Sequence, residues 1–340
     1  MNDEILVIHN AVDGQLMAGG KTVWQESNAG LIQEVNAVTA AIEKLGLNYR
    51  VESVRTIEQL PDILIRSEQP IVFNLVEELP ADILHACYVP AICHVHSKTC
   101  TGSDTPALIL AQNKLQTKAI LKAADVPTPD GTIVPLGQKI HLKGLAHGKY
   151  FVKPVFSDAS EGIDADSIVD LPGPALHKAI DQIHRQFKQP ALIEQFIPDR
   201  ELNVSLIQWD NQVQVLPIAE IDFGAFDANK PKIIDYSAKW HADSFAYNNT
   251  PRIIPAPLSE KTAGLVRQYA LAAWHAIGCL DYARVDFRMS RDERLFVLEV
   301  NPNPDISADA GFAAALTAAG ISYKTFVETV LNNASMRNSN

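Results

Sequence analysis

Near the end of this 340-residue chain, Arg284, Asp286 and Arg288 alternate within Tyr282–Met289. A charged turn follows, and then Leu295–Val300 leads into Asn301, with Glu299 and Asn301 two residues apart. Side chains two apart on a β-strand share a face. Two adjacent strands of this kind bring Asp286, Glu299 and Asn301 to one spot. Two carboxylates and an amide oxygen are hard oxygen donors, suited to Mg²⁺ that also bridges nucleotide phosphates. A solvent-facing strand pair whose polar residues are merely hydrated gives the same pattern, and composition alone leaves both open.

The elements that must position these residues follow a strand–helix alternation. Residues 5–9 form an apolar run, and Leu31 to Leu45 has helical periodicity after a long polar loop at 11–30. Val51, Ile71–Asn74 and Val89–Val95 supply further short strands. Apolar strands alternating with helices predict a parallel sheet covered on both faces. Gly19-Gly20-Lys21 fits neither GxxxxGK[ST] nor GxGxxG and is not a P-loop. Downstream, the pattern predicts a helix over 106–124, a strand at 150–154 and a helix over 172–188. A strand at 191–196 follows, then paired strands at 203–209 and 213–221. Residues 223–252 lack periodicity, and a loop that long is usually functional. A helix at 258–277, the hairpin above, a helix at 323–332 and a disordered polar tail complete the chain.

Forty acidic against twenty-nine basic residues give a net charge of −11, which excludes nucleic-acid binding driven by net charge. No apolar run approaches the roughly 18–20 residues of a membrane span. The acidic start MNDEILVIHN lacks a basic signal-type region, so a cytoplasmic protein is expected, without membrane or nucleic-acid partners. Cys87, Cys93, Cys100 and Cys279 make no disulfide framework in a chain this long. Three of them lie near His85, His94 and His96, but the spacing fits no CxxC-type zinc pattern. The stretch AICHVHSKTC alternates like a buried strand, so reduced core thiols are expected.

The hairpin DYARVDFRM…RLFVLEVNPNPDIS resembles the metal-binding hairpin of ATP-grasp ligases, especially the D-alanine–D-alanine ligase branch. The likeness continues upstream in order. Gln33-Glu34-Val35-Asn36 is similar to the family's "HEVS", and Val72-Phe73-Asn74 to its "VFN" strand. Thr101-Gly102-Ser103, Asn113-Lys114 and Thr117-Lys118 resemble "TGS…DKxxTK". Phe151-Val152-Lys153-Pro154 resembles the "VKP" strand, with Ser160 and Gly162 in a glycine-rich lid. Ile193 to Ile197 with Arg200-Glu201-Leu202 resembles the nucleotide hinge, Tyr236 to Lys239 matches "YxAK", and Ile254 to Pro257 matches the segment before the last long helix.

The resemblance implies an α/β ATP-grasp architecture: an N-terminal doubly wound parallel-sheet domain over 1–105, a central subdomain with lid over 106–198, and a C-terminal subdomain with the metal site over 199–340. It implies ATP with two Mg²⁺, for which Mn²⁺ substitutes, small-molecule carboxylate and amine substrates, and a homodimer. Carried over, Lys114 and Lys153 contact phosphates or purine, and Glu194 with the Gln195, Phe196 and Ile197 backbone holds adenine. Ser160 belongs to the lid over the nucleotide, Glu201 takes the ribose hydroxyls and Lys239 reaches the γ-phosphate. Asp286, Glu299 and Asn301 hold the metal ions, Arg284 stabilises the transition-state charge, and Glu34 belongs to the catalytic set. An exposed lysine or glutamate at any one of these positions is otherwise an ordinary solvated residue.

Departures from the family pattern fall on the amino-acid pocket. The lid serine is Ala159 and the tyrosine after "YxAK" is Trp240; alanine has no donor, and an indole N–H donates but cannot accept. The histidine after "VFN" is Glu77, the lid-strand arginine is Phe156, the glycine of "NTSPGM" is Asp305, and the acceptor-binding serine is Ala310. Nucleotide chemistry is kept and D-alanine recognition is lost. The expected function is an ATP-dependent ligase joining a different carboxylate to a different amine, in specialised metabolism. The alternatives are a cell-wall D-alanine–D-alanine ligase, and an ATP-grasp kinase or non-catalytic nucleotide-binding module.

Overall fold

The computed structural model describes residues 5–11, 23–79, 82–138, 145–156, 164–227, 231–234 and 243–338. Three sheets organise them. The first is parallel, in the order β2-β1-β3-β4, and contains β1 (Ile5–Asn10), β2 (Tyr49–Val54), β3 (Ile71–Leu75) and β4 (Thr99–Cys100). Its crossovers carry α1 (Val23–Lys44), α2 (Leu60–Ile65) and α3 (Val89–Val95). Strand β1 shows why both faces must be covered: Ile5 and Val7 pack one way, and Leu6 and Ile8 pack the other.

Two expectations for this region are corrected. Helix α1 begins at Val23, so the polar loop is shorter than 11–30. The segment 89–95 is helical, because Pro90 sits in a first turn that needs no amide donor and only Val89, Pro90 and Cys93 turn inward. The strand there is only Thr99–Cys100.

Helices α4 (Thr105–Gln112) and α5 (Lys114–Ala123) replace the single expected helix. Asn113 is extended (φ −100°, ψ 96°) and caps α5, its Oδ1 accepting from the Leu115 and Gln116 amides. The second sheet has the order β5-β8-β6-β7, from β5 (Gly131–Val134), β6 (Gly148–Pro154), β7 (Ile168–Leu171) and β8 (Ala191–Gln195). It is antiparallel and backed by α6 (Ala175–Gln186), shorter than the 172–188 expected.

The third sheet holds β9 (Arg200–Trp209), β10 (Gln212–Val215), β11 (Ala219–Ile221), β12 (Arg252–Ile253), β13 (Tyr282–Met289) and β14 (Leu295–Asn301). The strand expected over 213–221 is interrupted around Pro217, which has no amide hydrogen for a ladder. A short helix α7 (Phe245–Asn248) precedes β12. The long helix α8 (Glu260–Ile277), N-capped by Ser259 and closed by Gly278 at φ +80°, covers one face. Helices α9 (Gly311–Ala318) and α10 (Tyr323–Asn338) follow. The supposed disordered tail is helical to Asn338, because Asn333 and Ala334 are buried and Arg337 is ion-paired. Helix α10 packs back on the first sheet and α1, joining chain start and end in one core. Among the described residues no helix is long and apolar enough to cross a membrane.

Candidate active site

Strict alternation along β9 and β13 sends Leu202, Val204, Leu206, Ala283, Val285 and Phe287 into the core under α8. Glu201, Asn203, Arg284, Asp286 and Arg288 are left on the opposite face, in register: Asp286 lies across from Asn203, and Arg288 across from Glu201. On β14 a bulge changes the alternation. Val297 pairs with Phe287 but Glu299 pairs with Asp286, so Leu298 is the extra residue. Val297 therefore stays in the core while Glu299 and Asn301 turn to the site face. An unbroken strand would place Val297, Glu299 and Asn301 on one side.

Asp286 is the centre of the polar cluster. Arg284 grips it with two bonds, Nε to Oδ1 at 2.8 Å and Nη2 to Oδ2 at 2.9 Å. Asn203 Nδ2 donates to Oδ1 at 2.8 Å and Asn301 Nδ2 to Oδ2 at 3.2 Å. Burial alone would make the Arg284 guanidinium easier to deprotonate, but Asp286 overrides it and holds it firmly charged. The donor set fits a hard cation: two carboxylates lie on directly paired residues, and Asn301 adds an amide oxygen.

A second cluster lies on the middle sheet. Glu194 on β8 is enclosed between Lys118 of α5 and Lys153 of β6, each Nζ 2.6 Å from a carboxylate oxygen. All three residues are at most 5% exposed. Burial would push the Glu194 carboxyl up, yet the two ammonium groups bring it below the ordinary carboxylate range. Burial also lowers Lys118, whose Nζ makes a further bond to the Pro129 carbonyl at 3.1 Å. Strand β5 lies so close that a Cβ on Gly131 would stand 2.6 Å from the Ile193 carbonyl. Lys114 is buried as well, at the start of α5. The chain continues from Glu194 through Gln195, Phe196 and Ile197 to Glu201, and Arg288 reaches across to both Ile197 and Glu201.

The third group surrounds the loop after β14. Glu34, on α1, is buried and accepts the Ile306 amide at 3.0 Å. The Ile306 carbonyl accepts from Tyr323 Oη at 2.8 Å, and Asp305 Oδ1 caps the Ser307 amide at 2.8 Å. Burial drives the Glu34 carboxyl well above its ordinary value, Glu77 and Asp305 add to this, and the Ile306 bond opposes it. Glu77 is itself exposed, but its loop is fastened by the Asn10 side chain, which accepts the Glu77 amide at 3.0 Å. Asn303 adds a bond to the Val76 carbonyl at 3.3 Å. Ala310 is the N-cap of α9 and provides no side-chain cap.

Residues 145–332 match the family model described as the D-ala D-ala ligase C-terminus. The chain belongs to the D-alanine–D-alanine ligase family of ATP-grasp proteins. It is 32% identical to the uncharacterized protein y4sG of Sinorhizobium fredii, over 82% of this chain and 78% of that one. It is 34% identical to the D-alanine–D-alanine ligase of Carboxydothermus hydrogenoformans, over 68% of this chain and 71% of that one. The fold is that of the Bacillus anthracis D-alanine–D-alanine ligase complexed with ATP, with TM-score 0.74 and 18% identity over 99% and 98% of the two chains. It is also that of the Enterococcus faecalis VanG D-Ala:D-Ser ligase, with TM-score 0.73 and 15% identity over 98% and 100%.

Against this family background, Asp286, Glu299, Asn301 and Arg284 are together, and Glu34 and Asp305 meet across the loop at Ile306. Ser160, Lys239, Trp240 and Ala159 lie outside the described residues. Sequence reasoning gave no role to Lys118, although the TK pair was noted, nor to Asn203 and Arg288. Alternation on β13 was the available signal for Arg288. The motif Thr101-Gly102-Ser103 is a clamp: the Gly102 amide donates to Asp281 at 2.8 Å, and Ser103 Oγ accepts the Leu280 amide at 3.0 Å. Among the described residues no group of three or more His, Cys, Asp or Glu side chains is arranged to hold a metal, and all four cysteines are buried free thiols.

Proposed function

We propose that this chain is an ATP-dependent ligase that joins a carboxylate to an amine through an acyl phosphate, with substrates other than two D-alanines. The observation that carries this reading is the cluster on the third sheet. Asp286, Glu299 and Asn301 converge with Arg284, and Arg288 links that sheet to the Ile197–Glu201 hinge.

A carboxylate is a poor electrophile, because attack by an amine would have to expel an oxide. Transfer of the γ-phosphoryl group to a carboxylate oxygen breaks the bond to ADP. The amine nitrogen then attacks the acyl carbon, the C–O bond breaks, inorganic phosphate leaves and the nitrogen loses a proton. Both steps concentrate negative charge. Asp286, Glu299 and Asn301 would hold Mg²⁺, which when bound would supply positive charge that neutralises part of this build-up. Arg284, held charged by Asp286, supplies a fixed cation beside it. Lys153, oriented by Glu194, and Lys114 face the phosphate chain in this assignment, and Lys239 completes it at the γ-phosphate. Glu77 and Asp305, exposed beside the buried Glu34, give the amine end an acidic wall suited to a cationic substrate. Ala310, where the family pattern has a hydroxyl, removes a partner for a small zwitterion.

The test is ATP-dependent phosphate release screened over pairs of carboxylates and amines, with product mass measured. The expected result is release that requires both partners and a product weighing their sum less one water, with D-alanine a poor substrate. Release with a carboxylate alone and no coupled product would make the protein a kinase. D-alanine as the best substrate would overturn the substrate assignment.

A further inference from the structure

Resting on the nucleotide site proposed above, we infer that Arg288 positions the nucleoside end of that site and sets its selectivity for the nucleotide. Alternation on β13 places Arg288 on the site face, across from Glu201. It is 3% exposed, and one guanidinium joins three parts of the chain. Nε donates to the Ile197 carbonyl at 2.9 Å, while Nη1 donates to Glu201 Oε2 at 3.0 Å and to the Lys232 carbonyl at 2.8 Å. The guanidinium carbon stands 5.8 Å from the centre of the Phe196 ring.

Nη2 is the exception. It is buried and has no hydrogen-bond partner among the described residues. A buried donor on a charged group left without an acceptor is costly, so such a group calls for a partner. In a planar guanidinium, Nε and Nη2 share one edge. Nε already meets the hinge carbonyl, so Nη2 is presented at the hinge. A buried, unpartnered donor beside the hinge carbonyl complements an acceptor atom of a nucleoside. Arg288 also fixes Glu201, the acceptor assigned to the ribose hydroxyls, at a set distance from Ile197. Selectivity for base and sugar is thereby tied to one side chain.

The test uses the full-length protein with Arg288→Met and Arg288→Lys. ATP and 2′-deoxy-ATP are compared by titration calorimetry and steady-state kinetics, alongside melting temperature. In Arg288→Met the KM for ATP should rise about tenfold, as expected for loss of a hydrogen bond to a charged group, with kcat within about twofold of wild type. The preference for ATP over 2′-deoxy-ATP should collapse towards unity. Arg288→Lys should recover the melting temperature without recovering the preference, since an ammonium cannot bridge the same three acceptors. A wild-type ATP-to-deoxy-ATP ratio in both variants overturns the inference. So does an equal loss for both nucleotides that tracks a fall in melting temperature. Wild-type protein that binds no ATP overturns the nucleotide-site reading first and this inference with it.

Discussion

Arg337 and Asp281 meet in a two-pronged ion pair, Nη1 to Oδ1 at 2.7 Å and Nη2 to Oδ2 at 2.8 Å. Asp281 is fully buried and also accepts the Gly102 amide, while Arg337 reaches the Cys100 carbonyl at 3.0 Å. Three remote stretches are pinned at one carboxylate. Arg337→Ala should lower unfolding free energy by about 2–3 kcal/mol, at or just below the roughly 3–5 kcal/mol of a fully buried pair because Arg337 keeps some solvent contact. Urea denaturation measures this, and an unchanged midpoint would show that the pair contributes nothing.

Glu194→Gln leaves two buried ammonium groups facing a neutral amide. A loss of about 3–5 kcal/mol is expected, as for other buried ion pairs broken on one side. Lys118→Met should cost less, since Lys153 still pairs with the carboxylate. Thermal unfolding of both variants decides the order; equal losses would count against the central place given to Glu194.

Substituting Asp286→Asn or Glu299→Gln should abolish turnover and leave the circular dichroism spectrum unchanged, because a neutral amide is a weaker ligand for a hard cation. Ordinary turnover of either variant at saturating Mg²⁺ refutes the metal assignment.

Glu34 gives a pH-dependent signature. Its folded carboxyl is raised well above the ordinary 4.5, chiefly by burial, so the folded state prefers it protonated. Ionising it in the folded protein costs stability. That cost is absent below pH 4.5, grows as pH climbs past that value and is complete above the raised folded value. Glu34→Gln should therefore melt progressively higher than wild type as pH increases through this window, while losing ligase activity. A difference in melting temperature that does not vary with pH refutes the assignment.

Much of the site could be read from residue alternation. The polar positions of β13 and the apolar ones between them follow directly from a period of two. The bulge at Leu298 could not be read this way, because a bulge changes pairing without changing composition. Val89–Val95 was misread because seven residues of mixed apolar character fit a strand or a short helix; Pro90 was the signal that should have decided it. The break at Asn113 was hidden inside a continuous amphipathic pattern, although asparagine is a strong N-cap. The helical end of the chain depends on Asp281, fifty-six residues away, and no local pattern reports such a partner.

The packing of α10 on the first sheet bears on biosynthesis. Ile5, Val7, Ile71 and Phe73 are covered on one side by Phe326, Val327, Val330 and Ala334. A ribosome makes the strands of that sheet well before α10. At about 5–20 residues per second, tens of seconds or less separate the two events. Throughout that interval Val38, Ala41 and Ile42 of α1 shield only part of this apolar face, and the rest is the kind of surface that chaperones hold and that aggregation exploits.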